Sequence, residues 1–211
     1  MLFSATMPSE IVSIARQHMK LPINIEIAPS GTTAENVTQE VFFIEKEAKS
    51  QLLEIVLKEC HGSVLVFTRT KHGAHKLARH VRGMAHSASE IHSNRSLAQR
   101  RDALEGFKSG KYRVLIATDI AARGIDVTGI ELVVNYDLPS NTEDYVHRIG
   151  RTGRAGASGH AYSLVSADEI KQLQGIEQVI QRHIQREYVD GFEPDHDLPA
   201  SAPLRKPGQA Q

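Results

Sequence analysis

The sequence predicts an α/β fold: a parallel β-sheet with helices on both faces. Two observations carry that expectation. Val64–Phe67 and Val114–Ala117 are fully apolar, and residues 130–136 form another strand of that kind. Strands without polar alternation are buried on both faces, which is the mark of a parallel sheet. Helical patterns separate these strands, so each crossover can lay a helix on the sheet.

Taken in order, residues 8–19 carry Ile11, Ile14, Ala15 and Met19 at helical spacing behind Pro8 and Ser9. Residues 24–28, NIEIA, alternate like a short strand, and 29–36 form a turn-rich linker. The main domain then begins with an apolar strand at 41–44 and an amphipathic helix at 50–58. The strand at 64–67 is followed by a helix at 71–82, a strand at 87–92 and a helix at 96–108. After the strands at 114–117 and 130–136 come a short helix at 143–149, a strand at 161–165 and a long helix at 167–186. The division expected is residues 1–30, a linker at 31–38, the main domain at 39–189 and a tail at 190–211. That tail has four prolines and no apolar periodicity, which predicts disorder.

Composition excludes little. With 25 basic and 25 acidic residues the formal charge is zero, so any basic surface is local. The single Cys60 rules out a disulfide framework and fits a cytoplasmic protein. No run approaches the roughly 18 apolar residues of a membrane span. Of eleven histidines, His72, His75 and His80 lie closest together, but no carboxylate or cysteine completes a metal set at ligand spacing. They read as the polar face of a helix.

The densest chemistry lies at 141–156, NTEDYVHRIGRTGRAG. Arg148, Arg151 and Arg154 recur every three residues with Gly150 and Gly153 between them. The glycines disfavour helix by about 1 kcal/mol each, so the arginines leave the helix on a tight loop. Close backbone approach beside rigid forks of donors suits a phosphate chain. A single arginine here would be a solvated complement to the helix dipole; three, headed by His147, are more than that requires. A second segment, TDIAARGIDV, leaves the strand at 114–117, where parallel sheets bind ligands.

SAT (Ser4 to Thr6), LVFTRTK (65–71), ATDIAARGIDV (117–127) and YVHRIGRTGRAG (145–156) resemble, in order and spacing, successive motifs of the DEAD-box ATP-dependent RNA helicases. The resemblance covers roughly residues 1–190, and the wording is closest to the RhlE-like subgroup. It implies a RecA-like sheet of the P-loop NTPase type, in particular the helicase C-terminal domain. In that family two such domains close on ATP and single-stranded RNA. The resemblance assigns Arg151 and Arg154 to the γ-phosphate, one as arginine finger, with Gly124 and Asp126 at the nucleotide ribose. It makes Arg69, Thr70, Arg100 and Thr118 RNA contacts, and Ser4, Thr6, His147 and Arg148 members of the interdomain coupling. RNA contact of this kind is to phosphates and 2′-hydroxyls. Between Arg69 and Arg113 the sequence supplies eleven Lys or Arg against three acids.

The sequence departs from the family at His92-Ser93, where HG is usual, and at Leu97, where a glutamine usually precedes the arginine by three residues. It also lacks a G-x-x-x-x-G-K-[ST] phosphate loop and a DEAD tetrapeptide. The expectation is therefore the second helicase domain with the end of the first, inactive as an ATPase alone, its Mg²⁺ held by the first domain. A stand-alone RNA-binding or scaffold module is the competing expectation, and a DNA helicase of the same superfamily a third.

Overall fold

The computed structural model describes residues 9–20, 23, 36–122, 127–154 and 157–192. Its helices are α1 (Ser9–His18), α2 (Lys49–Glu59), α3 (Lys71–Gly83), α4 (Leu97–Lys108), α5 (Asp119–Ala122), α6 (Thr142–Ile149) and α7 (Ile170–Ile180). Its strands are β1 (Val37–Phe43), β2 (Val64–Phe67), β3 (Ala88–Ile91), β4 (Val114–Ala117), β5 (Leu132–Asn135), β6 (Gly159–Val165) and β7 (Gln185–Glu187). These seven strands form one sheet in the order β3-β4-β2-β5-β6-β1-β7. Every pairing is parallel.

The apolar strands are buried on both sides, as their composition requires. Val64, Val66 and Ile116 face α2 and α3 through Leu53, Val56, Leu77 and Ala78. Their neighbours Leu65, Phe67 and Leu115 point the other way and meet Ala103 and Phe107 of α4. A third cluster packs α6 and α7 on β1 and β6 through Tyr145, Ile149, Leu173 and Val41. Burial of this kind contributes about 1.5–3 kcal/mol per large side chain. Three of the helices, α3, α4 and α6, start on side-chain caps. Thr70 accepts from Gly73 N, Ser96 and Gln99 form a capping box, and Asn141 accepts from Glu143 N. Each cap contributes about 1 kcal/mol.

Four elements differ from the sequence expectation by two residues or more. β1 starts at Val37, four residues early and inside the expected linker, because Thr38 and Glu40 alternate with buried Val37 and Gln39. β6 likewise starts at Gly159, where it pairs with Val37. The strand expected at 130–136 is limited to β5. The long helix expected at 167–186 is three pieces: a 3₁₀ turn at Ala167–Glu169, α7, and the edge strand β7. Gln181 ends α7 in the left-handed conformation at φ 52°. Buried Glu177 then ties the returning chain, accepting from Ile184 N at 3.0 Å and Arg186 Nη1 at 3.0 Å. Ile180 and Ile184 are four apart, so their spacing imitates a helix that the backbone does not make.

None of residues 11–20 is buried, whereas Phe192, beyond the expected end of the domain, packs on the main cluster beside Val189. The strand expected at 24–28 and the tail from 193 lie outside the described residues. No helix among the described residues is long and apolar enough to cross a membrane.

Candidate functional site

The turns that leave β2, β4 and β5 meet at the carboxyl ends of the sheet, and Arg148 is driven through their middle. It is 1% exposed. Its Nε and Nη2 donate to Asp119 Oδ1 and Oδ2 at 2.6 and 2.8 Å. Its Nη1 donates to Asn135 Oδ1 at 3.1 Å and to the Asp137 carbonyl at 2.6 Å, and the guanidinium lies over the Phe67 ring at 4.9 Å. Four of its five N–H donors are spent within the domain. Of the three evenly spaced arginines, Arg148 is therefore a strut joining α6 to α5, β5 and β2. With its donors engaged inside the domain, it is set apart from any generic phosphate site.

Arg151 and Arg154 differ. Each is half-buried and anchored through Nε to the carbonyl four residues earlier, Arg151 to His147 at 3.2 Å and Arg154 to Gly150 at 2.7 Å. Burial, and then the neighbouring Arg154 charge, push the Arg151 pKa down. Two cations held this close favour an anion between or beside them. Their loop is pinned by Thr152, 1% exposed, whose hydroxyl donates to the Ile130 carbonyl at 2.5 Å. Gly153 adopts φ 65°, and a Cβ there would stand 2.6 Å from Val37 Cγ2 and 3.3 Å from the Asn36 carbonyl. The space that this glycine leaves is thus filled by the start of β1, not kept for a ligand. The same contacts put the loop near the amino ends of β5 and β1, whereas the sequence reading looked only to carboxyl ends. His147, whose carbonyl anchors Arg151, has Nδ1 3.7 Å from Asp144 Oδ1 and a buried Nε2 without a hydrogen-bond partner among the described residues.

The RNA candidates gather at the carboxyl ends. Arg100 Nη2 donates to the Ala121 carbonyl at 3.3 Å, and Ala121 N donates to the Thr118 carbonyl at 3.0 Å, so α5 joins these two residues. Thr70 caps α3, accepting from Gly73 N at 2.9 Å. Arg69 donates its backbone N–H to Asp137 Oδ2 at 2.9 Å and Nη2 to Glu169 Oε1 at 2.7 Å. A continuous network therefore runs from Arg69 through Asp137 to Arg148 and Asp119, and so to Thr118. Ser4, Thr6, Gly124 and Asp126 lie outside the described residues.

The departures from the family pattern have clear settings. Leu97 is 83% exposed, one turn before Arg100. His92 is buried, and burial followed by the charges of His75, Lys71 and His72 lowers its pKa. His72, His75 and His80 line the exposed side of α3. No group of three His, Cys, Asp or Glu among the described residues could hold a metal ion.

Sequence reasoning missed Asn135, Asp137, Glu169 and Lys49. Asp137 leaves the carboxyl end of an apolar strand, a signal that was available. Glu169 closes the pattern Ser166-x-x-Glu169, a capping-box signature. Nothing in the sequence marks Lys49 as buried.

A RecA-like parallel sheet with basic loops converging on its ends defines a class of phosphate-handling domain. Residues 47–156 match the family described as helicase conserved C-terminal domain. The chain belongs to that family, and its relatives are DEAD-box RNA helicases. It is 43% identical to the ATP-dependent RNA helicase DbpA of Bacillus subtilis over 88% of this chain and 39% of that protein. It is 37% identical to the ATP-dependent RNA helicase RhlB of Shewanella baltica over 98% of this chain and 47% of that protein. The chain thus spans less than half of these relatives. Among solved structures it resembles the E. coli DEAD-box protein SrmB bound to RraA, at 32% identity and TM-score 0.74 over 79% of this chain and 99% of that one. It also resembles S. cerevisiae Dbp5 bound to RNA and ADP BeF3, at 29% identity and TM-score 0.81 over 89% of this chain and 51% of that one.

Proposed function

We propose that this chain works as the second domain of an ATP-dependent RNA helicase, completing an ATPase site with Arg151 and Arg154 and gripping RNA backbone with Arg69, Thr70, Arg100 and Thr118. The observation that carries the reading is the contrast among the three arginines. Arg148 is consumed by Asp119, Asn135 and Asp137, while Arg151 and Arg154 are each anchored through Nε to the carbonyl four residues earlier, with their charges close together.

Phosphoryl transfer spreads negative charge over equatorial oxygens, and a planar, permanently charged donor stabilises that charge. Arg154 or Arg151 is the arginine finger in this reading, and Gly124 and Asp126 receive the ribose. The phosphate cradle and the Mg²⁺ fall to a first domain carrying the phosphate loop and DEAD motif, neither of which occurs in these 211 residues. Residues 1–30, with Ser4 and Thr6, are the end of that first domain, and the main domain follows the linker. The motif wording supports an RhlE-like placement, and the lone Cys60 a cytoplasmic one.

The test has two arms. The 211-residue chain is assayed for RNA-stimulated ATPase, expected absent; measurable phosphate release would overturn the division of labour. In a polypeptide that places this chain behind a first helicase domain, RNA-stimulated turnover is expected, and Arg154→Lys or Arg151→Lys lowers it by roughly 10³. No ATPase in that polypeptide would favour an RNA-binding module without catalysis. Equal stimulation by single-stranded DNA would favour a DNA helicase.

A further inference from the structure

We infer that Glu169, on the turn before α7, is a positioning residue that aims Arg69 at an RNA phosphate. The inference rests on the reading of Arg69 as an RNA contact and adds to it a residue far away in sequence.

Glu169 is 2% exposed and its carboxylate is saturated. Oε1 accepts from Arg69 Nη2 at 2.7 Å and from Leu138 N at 3.0 Å. Oε2 accepts from Lys49 Nζ at 2.5 Å and Ser166 N at 3.3 Å. A carboxylate fixed by donors on both oxygens has a single orientation, and it transmits that orientation to the guanidinium it holds. The Arg69 backbone is fixed independently by Asp137 Oδ2.

Exposure gives the second argument. Glu169 holds two cations, Lys49 and Arg69. Lys49 is sealed, its side chain 2% exposed, and spends another donor on the Tyr136 carbonyl at 2.9 Å. The Arg69 side chain is 38% exposed, so of the two only Arg69 presents its charge to solvent. That exposed end lies beside Thr70 at the carboxyl end of β2, among the other RNA candidates.

A purely structural Glu169 and an orienting Glu169 predict opposite signs. Removing an acid near a phosphate site tightens RNA binding by simple electrostatics; removing the group that holds Arg69 loosens it. Binding of a fluorescein-labelled oligouridylate to the 211-residue chain is measured by anisotropy over a salt series for wild type, Arg69→Ala, Glu169→Gln and the double variant. Arg69→Ala is expected to weaken binding about tenfold and to reduce the salt slope by about one. Glu169→Gln is expected to weaken it about three- to tenfold, no more than the loss caused by removing Arg69 itself. In the Arg69→Ala background it should have no further effect.

Because Glu169→Gln strands buried Lys49, Lys49→Met/Glu169→Gln serves as a second variant with the same expectation, and Lys49→Met alone as its control. Glu169→Asp is too short to span the same contacts and should not rescue. If Glu169→Gln binds RNA as well as or better than wild type while Arg69→Ala binds less, the positioning role is overturned and the RNA assignment survives. If Arg69→Ala binds normally, the RNA assignment itself falls, and the inference with it. A Glu169→Gln loss that persists undiminished without Arg69 would also overturn the positioning role.

Discussion

Arg148 and Asp119 form a two-pronged ion pair, Nε to Oδ1 at 2.6 Å and Nη2 to Oδ2 at 2.8 Å, with the arginine 1% exposed inside the domain. Breaking a buried pair by removing one partner leaves an uncompensated charge and costs about 3–5 kcal/mol. Asp119→Ala is therefore expected to lower urea unfolding stability by about 3 kcal/mol. Arg151→Ala and Arg154→Ala should each change it by less than about 1 kcal/mol, since both side chains are only half-buried. Three equal losses would remove the distinction between strut and ligand-facing arginines.

Gly153 and Gly83 separate glycine as a requirement from glycine as an accident. Gly153 stands at φ 65° with Val37 Cγ2 in the way of any Cβ, whereas a Cβ on Gly83 meets nothing within 4 Å. Gly153→Ala is expected to cost about 1–3 kcal/mol, through strain and displacement of the β1 start. Gly83→Ala, in the last turn of α3, should add about 0.5–1 kcal/mol. Thermal melts of both variants decide the matter, and an indifferent Gly153→Ala would mean that β1 yields at no cost.

His86 supplies a pH dependence. Its Nδ1 lies 2.9 Å from Arg113 Nη2, and Arg113 also ties down the Leu57 and Cys60 carbonyls. The imidazole must be the acceptor, because arginine has only donors. Burial, and then the Arg113 charge, push its pKa below the ordinary 6.5. A histidine whose folded pKa is depressed binds its proton more readily when unfolded. Its stabilising effect is full above pH 6.5 and declines as the pH falls through the depressed folded value. The buried His92, shifted in the same direction mainly by burial, acts likewise. Melts between neutral and mildly acidic pH should show a falling stability that His86→Gln flattens. An unchanged slope in that variant would show that His86 is not titrating with unfolding.

The sheet was legible in the sequence because its strands declare themselves: Val64–Phe67 and Val114–Ala117 are apolar on both faces and match to the residue. β1 was read short because a strand beside the edge alternates, and Thr38 and Glu40 look like linker. The end of α7 was misread because Ile184 completes a helical spacing, and only the buried Glu177 carboxylate explains the reversal. In the site, the residue types were legible and their division of labour was not. Three arginines at one interval look alike until Asp119, Asn135 and Asp137, distant in sequence, claim one of them. Glu169 was invisible for the same reason: it lies 100 residues from Arg69, and a capping pattern does not show which cations a carboxylate will hold.

Arg151 and Arg154 make the last prediction. The pair carries like charges close enough that Arg154 contributes to lowering the Arg151 pKa. Removing Arg154 takes away that repulsion, so Arg154→Ala alone should cost little stability at low salt. Tripolyphosphate, used as a probe for the phosphate chain, should stabilise the wild-type chain by mass action. At ten times its dissociation constant that amounts to about 1.4 kcal/mol, a rise of roughly 3–6 °C in Tm. The rise should vanish in Arg151→Ala/Arg154→Ala and persist in Thr70→Ala, whose hydroxyl caps α3 at the other end of the sheet. If tripolyphosphate stabilises the double arginine variant as much as wild type, the anion binds elsewhere on the basic surface, and the paired arginines are not the phosphate-facing group.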